Sequence, residues 1–333
     1  MARFHAVVAN SAHFSARSGD ILLDAALSSG IDLPHDCRAG RCGTCLMRVC
    51  QGRTFGGESR QHGMIYACQA RVFSDLTLEY DVLPPVRRVE ARVTRLLKLT
   101  HDVVELTIAP AGRLPILPGQ YCRFIFKGFP ARSFSPTAPL DRPPAGRSFR
   151  LNVKRLRGGR VSPNFGRLIK VGHPLKVEGP FGSAFLRRGK IGRLVLVAGG
   201  TGFAPMWAVA DAALRENSQR PMILIAGVRN LKSLYMWPAL RRVARLPNVS
   251  VIATAEEEQA GHPAILKGRP NDHLPELTTS DIVYAAGAPD MVDSVAEAAE
   301  TARAAFYCDP FEASGHTDED SGWRNVLSWI GAA

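Results

Sequence analysis

Polar and apolar residues alternate with a period of two in ARFHAVVA (2–9) and again in LTLEYDV (76–82), which predicts half-buried β-strands. Between them, DILLDAALSSGI (20–31) spaces its apolar residues for one face of a short helix, which Gly30 ends. From Val89 to about Lys190 the pattern is all strand. ARVTRLLKL, DVVELTI, GQYCRFIF, SFRLNVKRL and HPLKVEGP are short runs broken by Gly and Pro, as in a small antiparallel barrel. After Gly192 the period changes. RLVLVAGG, PMILIAG, NVSVIATA and DIVYAAGA are continuous apolar runs suited to buried parallel strands. The amphipathic stretches APMWAVADAALRENS and APDMVDSVAEAAETARAA alternate with them, which predicts a doubly wound parallel sheet. The proline pair Pro84–Pro85 marks the first boundary. The chain therefore divides into residues 1–84, 85–190 and 191–312, followed by a tail, 313–333. In that tail Thr317 and Asp320 have capping-box spacing, and Trp323, Val326, Leu327 and Ile330 share one helical face.

Composition is that of an ordinary soluble protein, with 46% hydrophobic and 22% charged residues in 333. No run of eighteen apolar residues and no export signal is evident, so the expected address is the cytoplasm, with no membrane span. The net charge of +12 is unevenly placed: residues 1–84 are neutral, 85–190 carry +17, and 191–333 carry −5. A basic middle segment suits nucleic acid, an acidic protein or a phosphate-bearing cofactor. Its cations are dispersed among strand-like runs and no nucleic-acid motif accompanies them, so nucleic acid is set aside.

The seven cysteines are an odd number and crowd toward the N-terminus, which speaks for reduced thiols and a bound metal rather than disulfides. Cys37, Cys42 and Cys45 stand in CRAGRCGTC, and Cys68 follows in YACQA. This C-x4-C-x2-C…C spacing is the plant-type [2Fe–2S] arrangement. Two irons bridged by two sulfides need four thiolates, and Gly40 and Gly43 let a loop turn its N–H groups toward the sulfurs. Zinc ribbons usually bring two C-x2-C knuckles, and this chain has one. Cys50, Cys122 and Cys308 are expected to be buried and inert.

Two further motifs point to phosphate-bearing cofactors. ARSFSP (131–136) sets Arg132 beside Ser133, Phe134 and Ser135 at a strand end, where the guanidinium can grip a pyrophosphate and Ser135 can reach a ring nitrogen. Downstream, GGRVSPNF supplies Gly159, Val161 and Ser162, the last opening a short helix with Pro163 in its first turn. LVLVAGGTGFAP places Gly199, Gly200 and Gly202 between a strand and a helix, the nucleotide position of a doubly wound sheet. YAAGAPDMV puts Gly287 at the same carboxyl edge. After the third parallel strand, VSVIATAEEE offers Glu256, Glu257 and Glu258 where a 2′-phosphate binder would want arginine, so NADH is expected over NADPH. Arg229 could reach the same region.

Together these motifs resemble the oxygenase-reductase branch of the ferredoxin–NADP⁺ reductase superfamily, over about residues 1–312, and most of all the reductases of naphthalene- and carbazole-type ring-hydroxylating dioxygenases. The resemblance implies a multidomain α+β and α/β protein: a β-grasp [2Fe–2S] ferredoxin domain, an antiparallel β-barrel FAD domain and a doubly wound NAD domain. It implies that Cys37, Cys42, Cys45 and Cys68 ligate the cluster. Arg132, Ser133, Phe134, Val153, Lys154, Gly159, Val161 and Ser162 would hold FAD, with Ser135 near flavin N5 and Phe311 close to the flavin. Gly200, Thr201, Gly202, Pro205, Arg229, Glu256, Gly287 and Pro289 would shape the NADH site. Three departures stand out: Phe134 replaces the usual tyrosine, Ala286 replaces a cysteine common in relatives, and the chain runs about twenty residues past Phe311.

NADH gives two electrons as a hydride, a [2Fe–2S] cluster takes one at a time, and flavin can do both, so no acid–base dyad is required. The resemblance implies a monomeric reductase serving an acidic ferredoxin or terminal oxygenase. Other clients of the same chemistry are a diiron monooxygenase and a deoxysugar dehydratase, and a redox sensor is the reading outside enzymes.

Overall fold

The computed structural model describes residues 3–59, 61, 63–141, 148–257 and 264–311. Glu258 and the tail helix drawn from Thr317, Asp320, Trp323, Val326, Leu327 and Ile330 lie outside the described residues.

The N-terminal unit consists of β1 (Phe4–Ala9), β2 (Ala12–Arg17), α1 (Leu22–Ser28), β3 (Leu46–Gln51), β4 (Thr54–Phe55), β5 (Met64–Tyr66), β6 (Arg71–Val72) and β7 (Leu76–Glu79). Five of the strands form a mixed sheet, β2-β1-β7-β3-β5, in which β1 and β7 run parallel; β4 and β6 pair separately. The alternation seen in the sequence does its work here: Val7, Ala9, Phe14 and Ala16 point inward onto Leu22, Leu23 and Ala26 of α1. Gly30 ends that helix at φ +76°, a left-handed conformation that costs glycine nothing.

The middle unit contains β8 (Arg87–Lys98), β9 (Val103–Pro110), β10 (Tyr121–Phe126), β11 (Arg132–Phe134), β12 (Phe149–Lys154) and β13 (Pro174–Phe181). They form one antiparallel sheet, β11-β10-β13-β8-β9-β12. Its two edges meet where Thr137, just past β11, bridges to Arg150 of β12, so the sheet curls nearly into a barrel. Phe124, Phe126, Phe165, Leu106, Ile108 and Leu151 fill its interior.

The third unit follows with β14 (Leu194–Gly199), α2 (Phe203–Glu216), β15 (Met222–Val228), α3 (Trp237–Val243), β16 (Val249–Ala255), β17 (Ile265–Lys267), β18 (Ile282–Gly287), α4 (Pro289–Thr301) and β19 (Ala305–Pro310). All six strands are parallel, in the order β17-β16-β15-β14-β18-β19. One face packs on α2 and α3 and the other on α4, giving two separate cores. The sequence reading missed β17 and β19. β17 is only three residues long, and α4 stops at Thr301 rather than running on to Ala305.

The three units meet along a seam. Ala138, Leu140, Ala184 and Leu186, all before residue 190, pack into the core of the C-terminal unit. Arg187 is buried among all three. Its side chain donates to the Ser183 and Phe185 carbonyls and pairs with Asp81. Its guanidinium also lies 3.6 Å from the Phe185 ring centroid and 3.9 Å from that of Tyr307. Arg187 is therefore not a surface cation, as its place in the basic segment suggests; Arg188 is, exposed and 2.7 Å from Glu216. The spare cysteines differ as well: Cys122 is buried, its thiol pushed up to about 12 by desolvation, whereas Cys50 is exposed and Cys308 half-buried. No described helix is long and apolar enough to cross a membrane.

Candidate redox-cofactor sites

The cysteine loop connects α1 to β3, and its four sulfurs form two pairs. Cys45 and Cys68 lie 3.3 Å apart. Cys37 accepts backbone N–H groups from Ala39 and Cys42, each at 3.4 Å. The Cys37 thiol is drawn down to about 5, first by the hydrogen bond from Cys42 and then by the N–H groups of Cys42, Ala39 and Arg41. Cys68 is drawn down to about 6 by the hydrogen bond from Cys45, with help from the Gly40 N–H and Gln69. Cys42 and Cys45, the donors and the more deeply covered thiols, are pushed up. Each pair thus readily yields one thiolate.

Among the described residues no three His, Cys, Asp or Glu side chains converge as one metal ion would require. Two thiol pairs instead match two irons, each taking two thiolates, so the donor set fits a [2Fe–2S] cluster. Gly40 and Gly43, both at φ +70°, shape the loop. A Cβ on Gly43 would come within 2.2 Å of Ser183 Oγ, so the loop lies directly on the barrel.

The barrel places Arg132 at the start of β11, half-buried, with its guanidinium donating to the Ala131 carbonyl at 2.7 Å. Ser133 is exposed, and Phe134 stands 5.8 Å from the Phe124 ring and 6.3 Å from that of Phe165. Ser135 is buried and donates to Asp309 Oδ2 at 2.9 Å, tying the barrel to β19. Burial lifts the Asp309 carboxyl to about 7, and the Ser135 hydrogen bond holds it back from rising further. On β12, Val153 is buried, while Lys154 is exposed and 3.7 Å from Asp102. The predicted helix at Ser162 is only a three-residue 3-10 turn, Ser162–Asn164, too short to carry a helix dipole. The Ser162 hydroxyl accepts the Leu156 N–H at 3.1 Å. Val161 is buried, and a Cβ on Gly159 would come within 3.1–3.3 Å of the Leu156 carbonyl, Ser162 Oγ and Pro163, while the left-handed turn falls to Gly158.

Asn152 on β12 escaped the sequence reading. It is buried and both its amide atoms lack a hydrogen-bond partner, as does the Thr137 hydroxyl. β12 packs against the Gly200–Gly202 turn, so these orphaned groups lie where barrel and parallel sheet meet. Buried polar atoms without partners are costly, and a flavin seated at this junction would supply them. A lone asparagine amid the apolar strand SFRLNVKRL was the available signal.

At the carboxyl edge of the parallel sheet, Gly202 and Gly287 pack on each other's turns. A Cβ on Gly202 would meet the Ala286 carbonyl at 2.1 Å, and one on Gly287 the Gly199 carbonyl at 2.9 Å. Gly200 (φ +55°) and Thr201 lead into α2, which carries Pro205, and Pro289 opens α4. β14 and β18 are the neighbours at which the strand order reverses, the switch point where such sheets bind nucleotides. Phe311 closes the edge, its N–H donating to the Gly287 carbonyl at 2.7 Å. Arg229 and Glu257 form an ion pair at 2.5 Å, and Glu256 lies 3.6 Å from Arg269. Thr254, deeply buried with an unpartnered hydroxyl, is a second residue here that sequence reading missed.

Residues 8–73 match the 2Fe-2S iron-sulfur cluster binding domain and residues 196–297 the oxidoreductase NAD-binding domain. The chain is 33% identical over 303 residues to the ferredoxin–NAD(P)(+) reductase component of the naphthalene 1,2-dioxygenase/salicylate 5-hydroxylase systems of a Ralstonia species, covering 85% of this chain and 90% of that one. The chain belongs to the ferredoxin–NAD(P)⁺ reductase family. The toluate 1,2-dioxygenase electron transfer component of Pseudomonas putida is 30% identical, with 90% and 94% covered. The ferredoxin reductase in carbazole 1,9a-dioxygenase shares the reductase's fold, with a TM-score of 0.63 at 24% identity over 94% of this chain and 99% of that one. The reductase is thus an oxidoreductase using a [2Fe–2S] cluster, FAD and NADH.

Asp309 sets a pH dependence. Its folded carboxyl lies above the ordinary value of 3.8, so its contribution to stability is fully present below that value and lost as pH rises to about 7. Above about pH 7 Asp309 also places a negative charge against Ser135. Reduction of bound flavin by NADH should slow roughly tenfold from pH 6 to 8, and Asp309→Asn should flatten that profile. Rapid mixing across this range checks it; an unchanged slope in the variant would remove Asp309 from the step.

Proposed function

We propose that this reductase carries electrons from NADH through FAD and the [2Fe–2S] cluster to an aromatic ring-hydroxylating dioxygenase system, reaching the terminal oxygenase directly or through a separate ferredoxin. The observation that carries this reading is convergence: the cysteine loop, the Ser135–Asp309 pair and the switch-point glycines all meet one seam. When bound, FAD would supply the exchange between the two-electron donor NADH and the one-electron cluster.

On this reading Cys37, Cys42, Cys45 and Cys68 ligate the cluster. Arg132 and Ser133, with Gly159, Val161 and Ser162, hold the FAD phosphates. Phe134, Val153, Lys154 and Asn152 line the flavin side, with Ser135 near N5 and Phe311 nearby. Gly200, Thr201, Gly202, Pro205, Gly287 and Pro289 orient the nicotinamide nucleotide. The N-terminal unit (1–84) is a β-grasp domain, the middle one (85–190) a barrel and the third (191–312) doubly wound, with segment 183–190 bridging the last two. The protein works in the cytoplasm as a monomer, in keeping with cysteines that form no disulfide. Its acceptor is acidic: Arg87, Arg88, Arg92, Arg95 and Lys98 are all exposed along β8.

Cys42→Ser should lose most of the iron and acid-labile sulfide and nearly all reduction of the protein acceptor, while NADH still bleaches the flavin. Acceptor reduction surviving loss of the cluster would refute the electron path.

Because Glu257 engages Arg229, that guanidinium is not offered to a 2′-phosphate, and kcat/KM should favour NADH over NADPH by roughly tenfold or more, about 1.4 kcal/mol. Glu257→Ala should narrow the gap; equal values in the wild type would contradict the assignment.

Turnover with the acceptor should fall steeply as salt rises, since steering by charge contributes about 10–10³-fold to association and is screened within a Debye length of about 10 Å at 0.1 M. Charge reversal at Arg88 together with Arg188 should reproduce the loss at low salt, while flavin reduction by NADH stays constant. Insensitivity to both would leave the basic face with no acceptor.

A further inference from the structure

The polar surroundings of the four cysteines are not equivalent. The contacts of Cys37 come from Ala39 and Cys42, and those of Cys68 from Cys45 and Gln69, all inside the N-terminal unit. Cys42 is different. Its sulfur is 3.2 Å from Thr44 Oγ1, and that same oxygen accepts the backbone N–H of Gly182, in the barrel, at 3.0 Å. Thr44 is buried, so no water competes for the hydroxyl.

Around this link the two units are clamped. Asp36, beside the first cysteine, accepts a hydrogen bond from the Tyr121 hydroxyl and pairs with Arg123, both on β10. Arg123 is braced within the barrel, 3.7 Å from Glu178 and with its guanidinium 5.0 Å from the Phe181 ring centroid. The loop approaches the barrel closely because Gly43 has no side chain: a Cβ there would meet Ser183 Oγ at 2.2 Å. Within the barrel, Gly182 likewise makes room for the Tyr121 ring, which a Cβ would meet at 2.9 Å.

Taking the four cysteines as the cluster ligands, on which this rests, we propose that Thr44 is a positioning residue that makes the cluster's reduction potential depend on docking of the N-terminal unit against the barrel. With Cys42 as a thiolate, the Thr44 hydroxyl donates to the sulfur while its oxygen accepts from Gly182. The barrel N–H thereby polarises the hydroxyl and strengthens its hydrogen bond to the ligand. Hydrogen bonds to cluster sulfurs are among the determinants of reduction potential, and they favour the more negative, reduced state. Docking would then make the cluster the better electron acceptor. When the unit leaves the barrel the Gly182 N–H is lost, and the reduced cluster becomes the stronger donor to the next protein. The electron lost by the flavin is the one gained by the cluster, and no other reactant is needed.

The test is a potentiometric titration of the cluster, followed by electron paramagnetic resonance on the full-length holoprotein. Thr44→Val removes the hydroxyl at nearly constant shape and should lower the reduced-to-oxidised ratio roughly tenfold at a fixed ambient potential, a shift of about 59 mV for one electron. Ser183→Leu, on the barrel side, inserts an uncharged wedge against Gly43 and should shift the cluster in the same direction. In the Thr44→Val background that wedge should add nothing, because the link it breaks is already gone. Flavin content and the rate of flavin bleaching by NADH should hold in every variant. An unchanged potential in Thr44→Val overturns the proposal, as does a Ser183→Leu shift of equal size in both backgrounds. Iron and acid-labile sulfide analysis separates either failure from a wrong choice of ligands: full occupancy with no shift refutes Thr44, whereas a wild-type cluster that survives Cys42→Ser refutes the ligand set.

Discussion

Close backbone approach at the seam is the constraint on which the rest of this reductase depends. Electrons arriving in pairs and leaving singly need cofactors near one another, which demands that three independently packed units meet without side chains in the way. Glycine provides that clearance between units at Gly43, where a methyl group would strike Ser183 of the barrel, while Gly182 and Gly202 leave room inside the barrel and the parallel-sheet unit. Where glycine opens the gap, polar groups fill it in pairs: Ser135 with Asp309, Thr44 with Gly182, Asp36 with Tyr121 and Arg123.

Arg187 shows how such a seam is held. A buried guanidinium is expensive without partners, and here two carbonyls and a carboxylate take its terminal nitrogens while two aromatic faces flank it; only its Nε lacks a hydrogen bond. The partners come from the linker, the end of the barrel and β19, so relative motion of the units would strip this charge of some of them. The seam therefore resists casual opening, and the cysteine loop, joined to it through Thr44, shares its state.

The charge on the barrel divides between two roles. Along β8 the arginines and Lys98 face solvent because Ala91 and Val93 take the inward positions of the same strand. Arg123 and Arg187 are turned into the seam instead. A single figure for net charge mixes a surface available to a partner with cations already committed to holding the fold.

Much of the site was legible in the residues themselves. The cysteine spacing, the glycine-bearing strand–helix turns and the change of period after Gly192 are local patterns, and local patterns determine local backbone. That is why the elements around Cys37–Cys45, Gly200–Gly202 and Gly287 could be placed from sequence. Asp309 and Asn152 could not: each matters because of what a distant strand sets beside it. Asp309 reads as an ordinary acid in YCDPF until β19 brings it to Ser135, and Asn152 reads as one polar residue in a strand until β12 meets the Gly200–Gly202 turn. The helix expected at Ser162 shrank to a single turn, and Arg187 moved from surface to core, because burial is decided by neighbours far along the chain. The sequence by itself determined the ligand types and the elements that carry them. Tertiary structure alone decided which polar groups share low-dielectric space, since partner and solvent exposure set a carboxyl's charge or a guanidinium's role, and neither is a property of a residue in its own segment.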